Sequence, residues 1–199
     1  MYIKLSFHRI FTFKIPLRWE REGLCCIRYT FILLRFITEF STPRNMIITG
    51  AYRRIGNICR SPIAEAVFAE IVKEKGLEDD WEVDSAALIG YHTGKNPDRR
   101  AMEVLKAKGI KDYSHKARTL ESNDYTKFDW IFGMDEDNLE ELERKKPQRC
   151  KATIELLGKH DPDGKLIIRD PYYDNNSAGF YEVYEQCDRS IRAFLQKHS

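Results

Sequence analysis

No stretch of this 199-residue chain is apolar for long enough to cross a bilayer: the most apolar run, residues 30–34, is closed on either side by Arg28 and Arg35. Stable membrane insertion is therefore not expected. The chain also lacks the paired spacings of a metal site. Its five cysteines (Cys25, Cys26, Cys59, Cys150 and Cys187) include no C-x2-C pair, and its five histidines include no H-x3-H pair. An odd cysteine count without repeated spacing argues against a disulfide framework and for a reducing compartment. No metal and no cofactor are expected. The chain has no internal repeat, and no strong charge of one sign marks its main body. Net charge is +2, but residues 1–45 hold 8 Lys/Arg against 3 Asp/Glu, which leaves 25 against 28 for residues 46–199. A body without basic excess gives no reason to expect nucleic acid as a partner.

With 42% apolar and 32% charged residues, the chain can build one domain with a substantial core. Residues 1–45 differ in character from the rest, being rich in aromatics and arginine without a sustained period and ending in a turn-like Ser-Thr-Pro-Arg-Asn run. They lack the long apolar region of a secretory signal. Their arginines suit an organelle presequence, against which Glu20, Glu22 and Glu39 weigh. They are read as an atypical, poorly ordered N-terminal extension, with one domain over residues 46–199.

From residue 46 onward, short apolar runs alternate with amphipathic stretches. Ser61 and Pro62 suit the N-cap and first position of a helix carrying Ile63, Ala66, Val67 and Ile71, with Gly76 as its stop. Residues 81–87 read as a strand. Asn96 and Pro97 open a second helix through Ala101, Val104 and Leu105, and residues 128–134 form a buried strand, after which Asp135 caps a helix. A further helix-like stretch ends near Leu157, and Phe180, Val183, Cys187, Ile191 and Phe194 mark a final amphipathic helix. Such alternation predicts an α/β domain with helices on both faces of a mainly parallel sheet.

In such sheets, ligands bind where strands end and loops enter helices. The segment Gly56, Asn57, Ile58, Cys59, Arg60 and Ser61 lies at such a place. Its backbone N–H groups and the helix behind them attract anions, and Arg60 has the fork geometry for phosphate or sulfate. A plain strand-to-helix turn with an exposed arginine is the alternative.

"GNICRSPIAEAVF", "WEVDSAA", "SHKAR", "GMDEDNL" and "DPYYDN", in that order over residues 55–199, resemble the low-molecular-weight protein tyrosine phosphatases. The resemblance implies a flavodoxin-like α/β fold with a four-stranded parallel sheet, a cytoplasmic location and no metal or cofactor. The implied substrates are phosphotyrosine proteins or small aryl phosphates, hydrolysed through a phosphocysteine. By position it makes Arg60 the phosphate-holding arginine and Asp170 the general acid. Residues 56–61 become the phosphate loop, in which Ser61 helps stabilise the thiolate. Asn57, Ser85 and His115 fix that loop, Asp135 lies near Asp170, and Tyr172 and Tyr173 wall the phenyl ring.

One departure bears on mechanism. The family pattern C-x5-R reads R-x5-R here, because Arg54 stands six residues before Arg60. A guanidinium is protonated at neutral pH and offers no lone pair to phosphorus. The family counterpart of Cys59 is the loop's second, redox-partner cysteine, so Cys59 does not substitute. Similarity also stops abruptly at Ile55, where a continuous apolar strand should lead into the loop. The expectation is an inactive chain, an aberrant or alternative product of a phosphatase gene. The alternative is a catalytically dead phosphate- or phosphotyrosine-binding module.

Overall fold

The computed structural model describes residues 43–52 and 55–198. Residues 1–42, Arg53, Arg54 and Ser199 lie outside the described set, and with them the expectations placed on the N-terminal extension and on position 54.

A four-stranded parallel sheet organises the domain in the order β4-β1-β5-β6. Strand β1 (Arg44–Thr49) is central, with Arg44–Thr49 in register with Trp81–Ala86 of β4 on one side and Met46–Ile48 with Trp130–Phe132 of β5 (Trp130–Gly133) on the other. Strand β6 (Thr153–Leu156) closes the far edge against β5. A parallel strand with neighbours on both sides and helices on both faces must be apolar throughout. Met46, Ile47, Ile48 and Thr49 are all fully buried. The strand that the resemblance calls for ahead of the loop is therefore present, because the short Met-Ile-Ile run supplies enough apolar surface for both faces.

Side chains alternate across β1. Met46 and Ile48 join a core under helices α1 (Arg60–Glu74), α2 (Arg99–Ala107) and α5 (Ala178–His198), to which Phe68, Val104, Phe180 and Phe194 contribute. Ile47 faces the opposite core, formed by Leu120, Tyr125, Phe128, Ile131 and Leu142 beneath α3 (Asp124–Lys127) and α4 (Glu136–Lys145). Helices therefore cover both faces of a four-stranded parallel sheet.

Three local expectations change. Helix α1 begins at Arg60 with Cys59 as its N-cap, and no side chain caps it. Ser61 instead accepts a hydrogen bond from Asn57 Nδ2 at 3.3 Å, which removes its hydroxyl from the capping role. Helix α2 is capped by Asp98, whose carboxylate accepts the Arg100 N–H, and not by Asn96. The stretch before Leu157 is strand β6, since Thr153 and Ile154 suit a pleated edge, and residues 157–160 form one 3-10 turn. The cap at Asp135 is as expected, its carboxylate accepting the Asn138 N–H at 2.8 Å.

Candidate functional site

Between the end of β1 and the start of α1, the chain folds into a small cradle, preceded by an antiparallel pairing of β2 (Ala51–Tyr52) with β3 (Ile55–Gly56). Asn57 makes the sharp turn, with φ at +59°, and no other non-glycine among the described residues has a positive φ. Asparagine is one of the few residues that tolerate this conformation, because its side chain can bond locally. Here the side chain bonds widely. Its Nδ2 donates to Ser85 Oγ at 2.9 Å and to Ser61 Oγ, while its Oδ1 accepts from the Arg118 N–H at 3.1 Å and lies 2.7 Å from His115 Nε2.

A second layer holds those partners. Glu65, one turn along α1 from Ser61, accepts from Ser85 Oγ and from the Tyr113 hydroxyl at 2.9 Å, and its Oε2 lies 3.2 Å from His115 Nδ1. Burial, and then the Glu65 charge, push the Tyr113 hydroxyl well above its ordinary pKa, so it stays a donor. The Arg118 guanidinium meanwhile bridges Asp84 and Asp124. Glu65, Asp84 and His115 place donor atoms within 4.8 Å of one another, the spacing of a possible cation site. Their oxygens and nitrogens are already spent on Ser85, Tyr113, Arg118 and Asn57, and together they work as a hydrogen-bonded brace for the cradle.

The cradle's chemistry is set by what α1 leaves open. A helix N-terminus has backbone N–H groups without intrahelical partners, and at α1 no side chain takes them. Together with the helix dipole they favour a negative charge at the cradle's mouth. The Arg60 side chain, only 3% exposed, adds a fixed cation there. Its Nη1 donates to Asp135 Oδ2 at 2.6 Å and to the Ile168 carbonyl at 2.8 Å, while Nη2 stands 3.7 Å from Asp170 Oδ2. The two carboxylates thus share one arginine: Asp135 from the start of α4, Asp170 from the loop before α5.

Cys59 lies within the cradle, buried, and its thiol is pushed far above the ordinary range by burial and then by the charges of Asp98 and Asp170. It is therefore a neutral thiol at neutral pH and a poor nucleophile. Beyond Arg60, a cleft of about 370 Å³ opens between Asp135, Glu136, Ile167, Arg169, Asp170 and Tyr173. Tyr172 packs partly into the core and its N–H bonds Asp170 Oδ1 at 3.2 Å. Tyr173 is 73% exposed and edge-on to Tyr172, with 5.1 Å between ring centroids.

Asn57, Ser61, Ser85 and His115 thus meet in one network, and Arg60, Asp135 and Asp170 in another. Sequence reading did not single out Glu65, Tyr113, Arg118, Asp98 or Arg100. Glu65 could have been found, because it lies one helical turn beyond Ser61 and hence on the same face of α1. The others come from distant segments. Arg100 pairs with Asp98 through Nη2 at 2.9 Å, donates to the carbonyls of Tyr172 and Asp174, and lies 4.5 Å over the Phe180 ring. The Asp98 N–H bonds the Ile58 carbonyl of the cradle at 2.7 Å. One ion pair therefore ties the cradle to the loop that carries Asp170.

This pair gives stability a pH dependence. Burial alone would raise the Asp98 pKa, but the hydrogen bonds from the Arg100 side chain and backbone outweigh it and hold the carboxyl below its usual value. A carboxyl depressed in the folded state stabilises fully above the unfolded value of about 3.9 and loses that contribution as pH falls through the folded value. Glu155 shifts the same way: hydrogen bonds from Lys159 and His160 overcome its burial. Thermal midpoints are expected to hold between pH 7 and pH 5 and to fall below about pH 4. Asp98→Asn should start lower at pH 7 and lose less on acidification, so an unchanged acid slope would refute this account.

Comparison with known proteins adds to this geometry. Residues 54–198 match the family described as low molecular weight phosphotyrosine protein phosphatase. The Homo sapiens protein of that name is 52% identical over 145 residues, covering 72% of this chain and 90% of its own length. Low molecular weight phosphotyrosine protein phosphatase 2 of Drosophila melanogaster is 45% identical, covering 72% and 87%. Among solved structures, Primo-1 overlays 79% of this chain and 98% of its own with a TM-score of 0.69 at 39% identity. The Drosophila arginine phosphatase DARP overlays 78% and 98% with a TM-score of 0.70 at 36% identity. The backbone likeness is thus longer than the sequence likeness. A cradle at a helix N-terminus, an arginine buried within it, an aspartate beside that arginine and this length of shared sequence lead to one conclusion: the chain belongs to the low molecular weight phosphotyrosine protein phosphatase family.

Proposed function

We propose that this chain binds phosphotyrosine proteins or small aryl phosphates in the cytoplasm through its cradle and does not turn them over. The observation that carries the reading is the pairing of a buried Arg60, 3.7 Å from Asp170, with a cradle whose one cysteine, Cys59, is buried and adjoins that arginine in sequence. In the family's reaction a thiolate attacks phosphorus, forming the S–P bond as the P–O bond to the phenol breaks. An aspartic acid gives its proton to the departing phenolate. Water then attacks the phosphocysteine, losing its proton to the same aspartate, and the S–P bond breaks to release phosphate.

Several parts of this machinery have candidates here. Arg60 would grip the equatorial oxygens alongside the free N–H groups of α1, and Asp170 would face the leaving oxygen. Tyr172 and Tyr173 would flank the ring, with Tyr173 open to solvent at the mouth of the cleft. Position 54, six residues before Arg60, carries a guanidinium in place of the thiol. The phosphoester would then be held and not split.

The test is calorimetric titration with a phosphotyrosine peptide, beside an assay of aryl phosphate hydrolysis. Binding is expected, and Arg60→Ala should weaken it at least about tenfold, the equivalent of losing one charge-assisted bidentate contact. Hydrolysis by the purified chain should not exceed that of Arg60→Ala. Turnover by the unmodified chain would refute the arrested state, and equal binding by Arg60→Ala would refute the cradle. Since one solved relative is an arginine phosphatase, a phosphoarginine peptide forms a second arm. Stronger binding of that peptide would displace the aryl reading drawn from Tyr172 and Tyr173.

A further inference from the structure

Counting back six residues from Arg60 reaches Arg54, yet β1 enters the cradle four residues earlier, at Gly50. Gly50 directly follows the buried Thr49 and is itself buried. Its carbonyl accepts the N–H of Asn57, the residue that turns the cradle, at 3.2 Å. A β-carbon built on Gly50 would lie 3.2 Å from Ser61 Oγ. Gly50 also lines a small cavity of about 10 Å³ together with Asn57, Ile58, Cys59, Arg60 and Ser61 of the candidate phosphate loop and the candidate acid Asp170.

The intervening chain returns to where it left. Ala51 pairs with Gly56 and Tyr52 with Ile55 in antiparallel register, so the cradle resumes beside Gly50. Removing residues 51–54 would place Gly50 six residues before Arg60, the family's own spacing. Resting on the cradle reading above, we infer that Gly50 is the floor position beneath the bound phosphoryl group, and that residues 51–54 are an insertion that shifts the loop's spacing without shifting the loop. The floor residue of this chain is then a glycine, which has no side chain to attack phosphorus.

A small side chain can be placed there if Ser61 gives by a few tenths of an ångström. Gly50 has no positive φ, so an L-residue meets no backbone strain, and its nearest neighbour is the rotatable Ser61 hydroxyl. A thiolate at position 50 would be stabilised by the Ser61 hydroxyl and the open N–H groups of α1. It would attack phosphorus along the path described above, with Asp170 supplying and then recovering the proton.

The test compares Gly50→Cys, Arg54→Cys, a chain lacking residues 51–54, and that shortened chain with Gly50→Cys. Alkylation by iodoacetate is followed by mass spectrometry across pH, with and without inorganic phosphate. The thiol at 50 is expected to titrate at least about one unit below the ordinary value near 8.5 and to be protected by phosphate, whereas the thiol at 54 should be ordinary and unprotected. The shortened chain with Gly50→Cys should release phosphate from p-nitrophenyl phosphate at least about 100-fold faster than the parent. The shortened chain that keeps Gly50 should retain its fold and its thermal shift with inorganic phosphate, which keeps the question open to refutation if Gly50→Cys does not fold. An acidic, protected thiol at 54 with an ordinary one at 50, or collapse of the shortened chain, would overturn the assignment. An acidic thiol at 50 without phosphate protection would leave residues 51–54 as an insertion but overturn both the cradle reading and the place of Gly50 beneath a phosphoryl group.

Discussion

Asn57→Ala is expected to cost about 3 kcal/mol or more of folding stability and to abolish phosphate binding. Three terms act together. Alanine in the left-handed region is strained by about 1 kcal/mol relative to a residue that bonds locally. The Asn57 amide satisfies Ser85, the Arg118 N–H and the His115 ring in a buried site, and truncation leaves these without that partner. Each buried polar group so stranded costs about 1–3 kcal/mol unless water reaches it. The third term is functional, because φ of +59° at Asn57 makes the turn that leads the chain into the helix start at Arg60. Asn57→Gly separates the terms, since glycine adopts the same φ freely and lacks the amide. It should recover the strain and little of the stability. Urea unfolding and phosphate titration of both variants supply the measurement, and Asn57→Ala within about 1 kcal/mol of the parent would refute the brace.

Phe194→Ala should be the most damaging change far from the cradle, at about 3–5 kcal/mol, the usual cost of emptying a buried aromatic site. Phe194 is fully buried on α5 and meets five rings edge-on or tilted. Their centroids stand at 5.6 Å for Trp81, 5.3 Å for Trp130, 5.2 Å for Phe132, 5.1 Å for His160 and 4.6 Å for His198. Trp81, Trp130 and Phe132 stand on β4 and β5, flanking β1, so this side chain locks the last helix to the sheet's centre. Phosphate affinity should survive in the folded fraction at low temperature, because the hydrogen-bond partners of Arg60 and Asn57 named above are not among these rings. Phe194→Leu should lose less, since it keeps much of the apolar volume. A loss below about 1.5 kcal/mol for Phe194→Ala would show that the cluster repacks.

Much of the fold was legible in local pattern. The period of Phe180, Val183, Cys187, Ile191 and Phe194 marks one face of α5, and the apolar run at residues 128–134 holds β5. Asp135 was legible as a cap because capping is settled within four residues. Ser61 misled for a related reason: the same hydroxyl that caps helices serves equally well as an acceptor for Asn57, and a partner in the preceding turn decides between them. The stretch before Leu157 misled because four residues carry too little period to separate strand from helix, and pairing with β5 decides it. Of the site, Arg60, Asn57 and Asp170 could be named in advance. Arg100 could not, since its work is done on the carbonyls of Tyr172 and Asp174, more than seventy residues away.

The amino-acid sequence alone determined which chemistry is within reach: an arginine at a helix start that attracts anions, and, through the family resemblance, an aspartate suited to a phosphoryl group and a guanidinium where the family's spacing has a thiol. Those properties belong to residue type and to short-range spacing. Only the tertiary structure placed Gly50 at the cradle, because antiparallel pairing of Ala51–Tyr52 with Ile55–Gly56 brings the chain back beside it and its carbonyl accepts the Asn57 N–H. Spacing counts residues along the chain, whereas a phosphoryl group meets those that hydrogen bonds bring together in space.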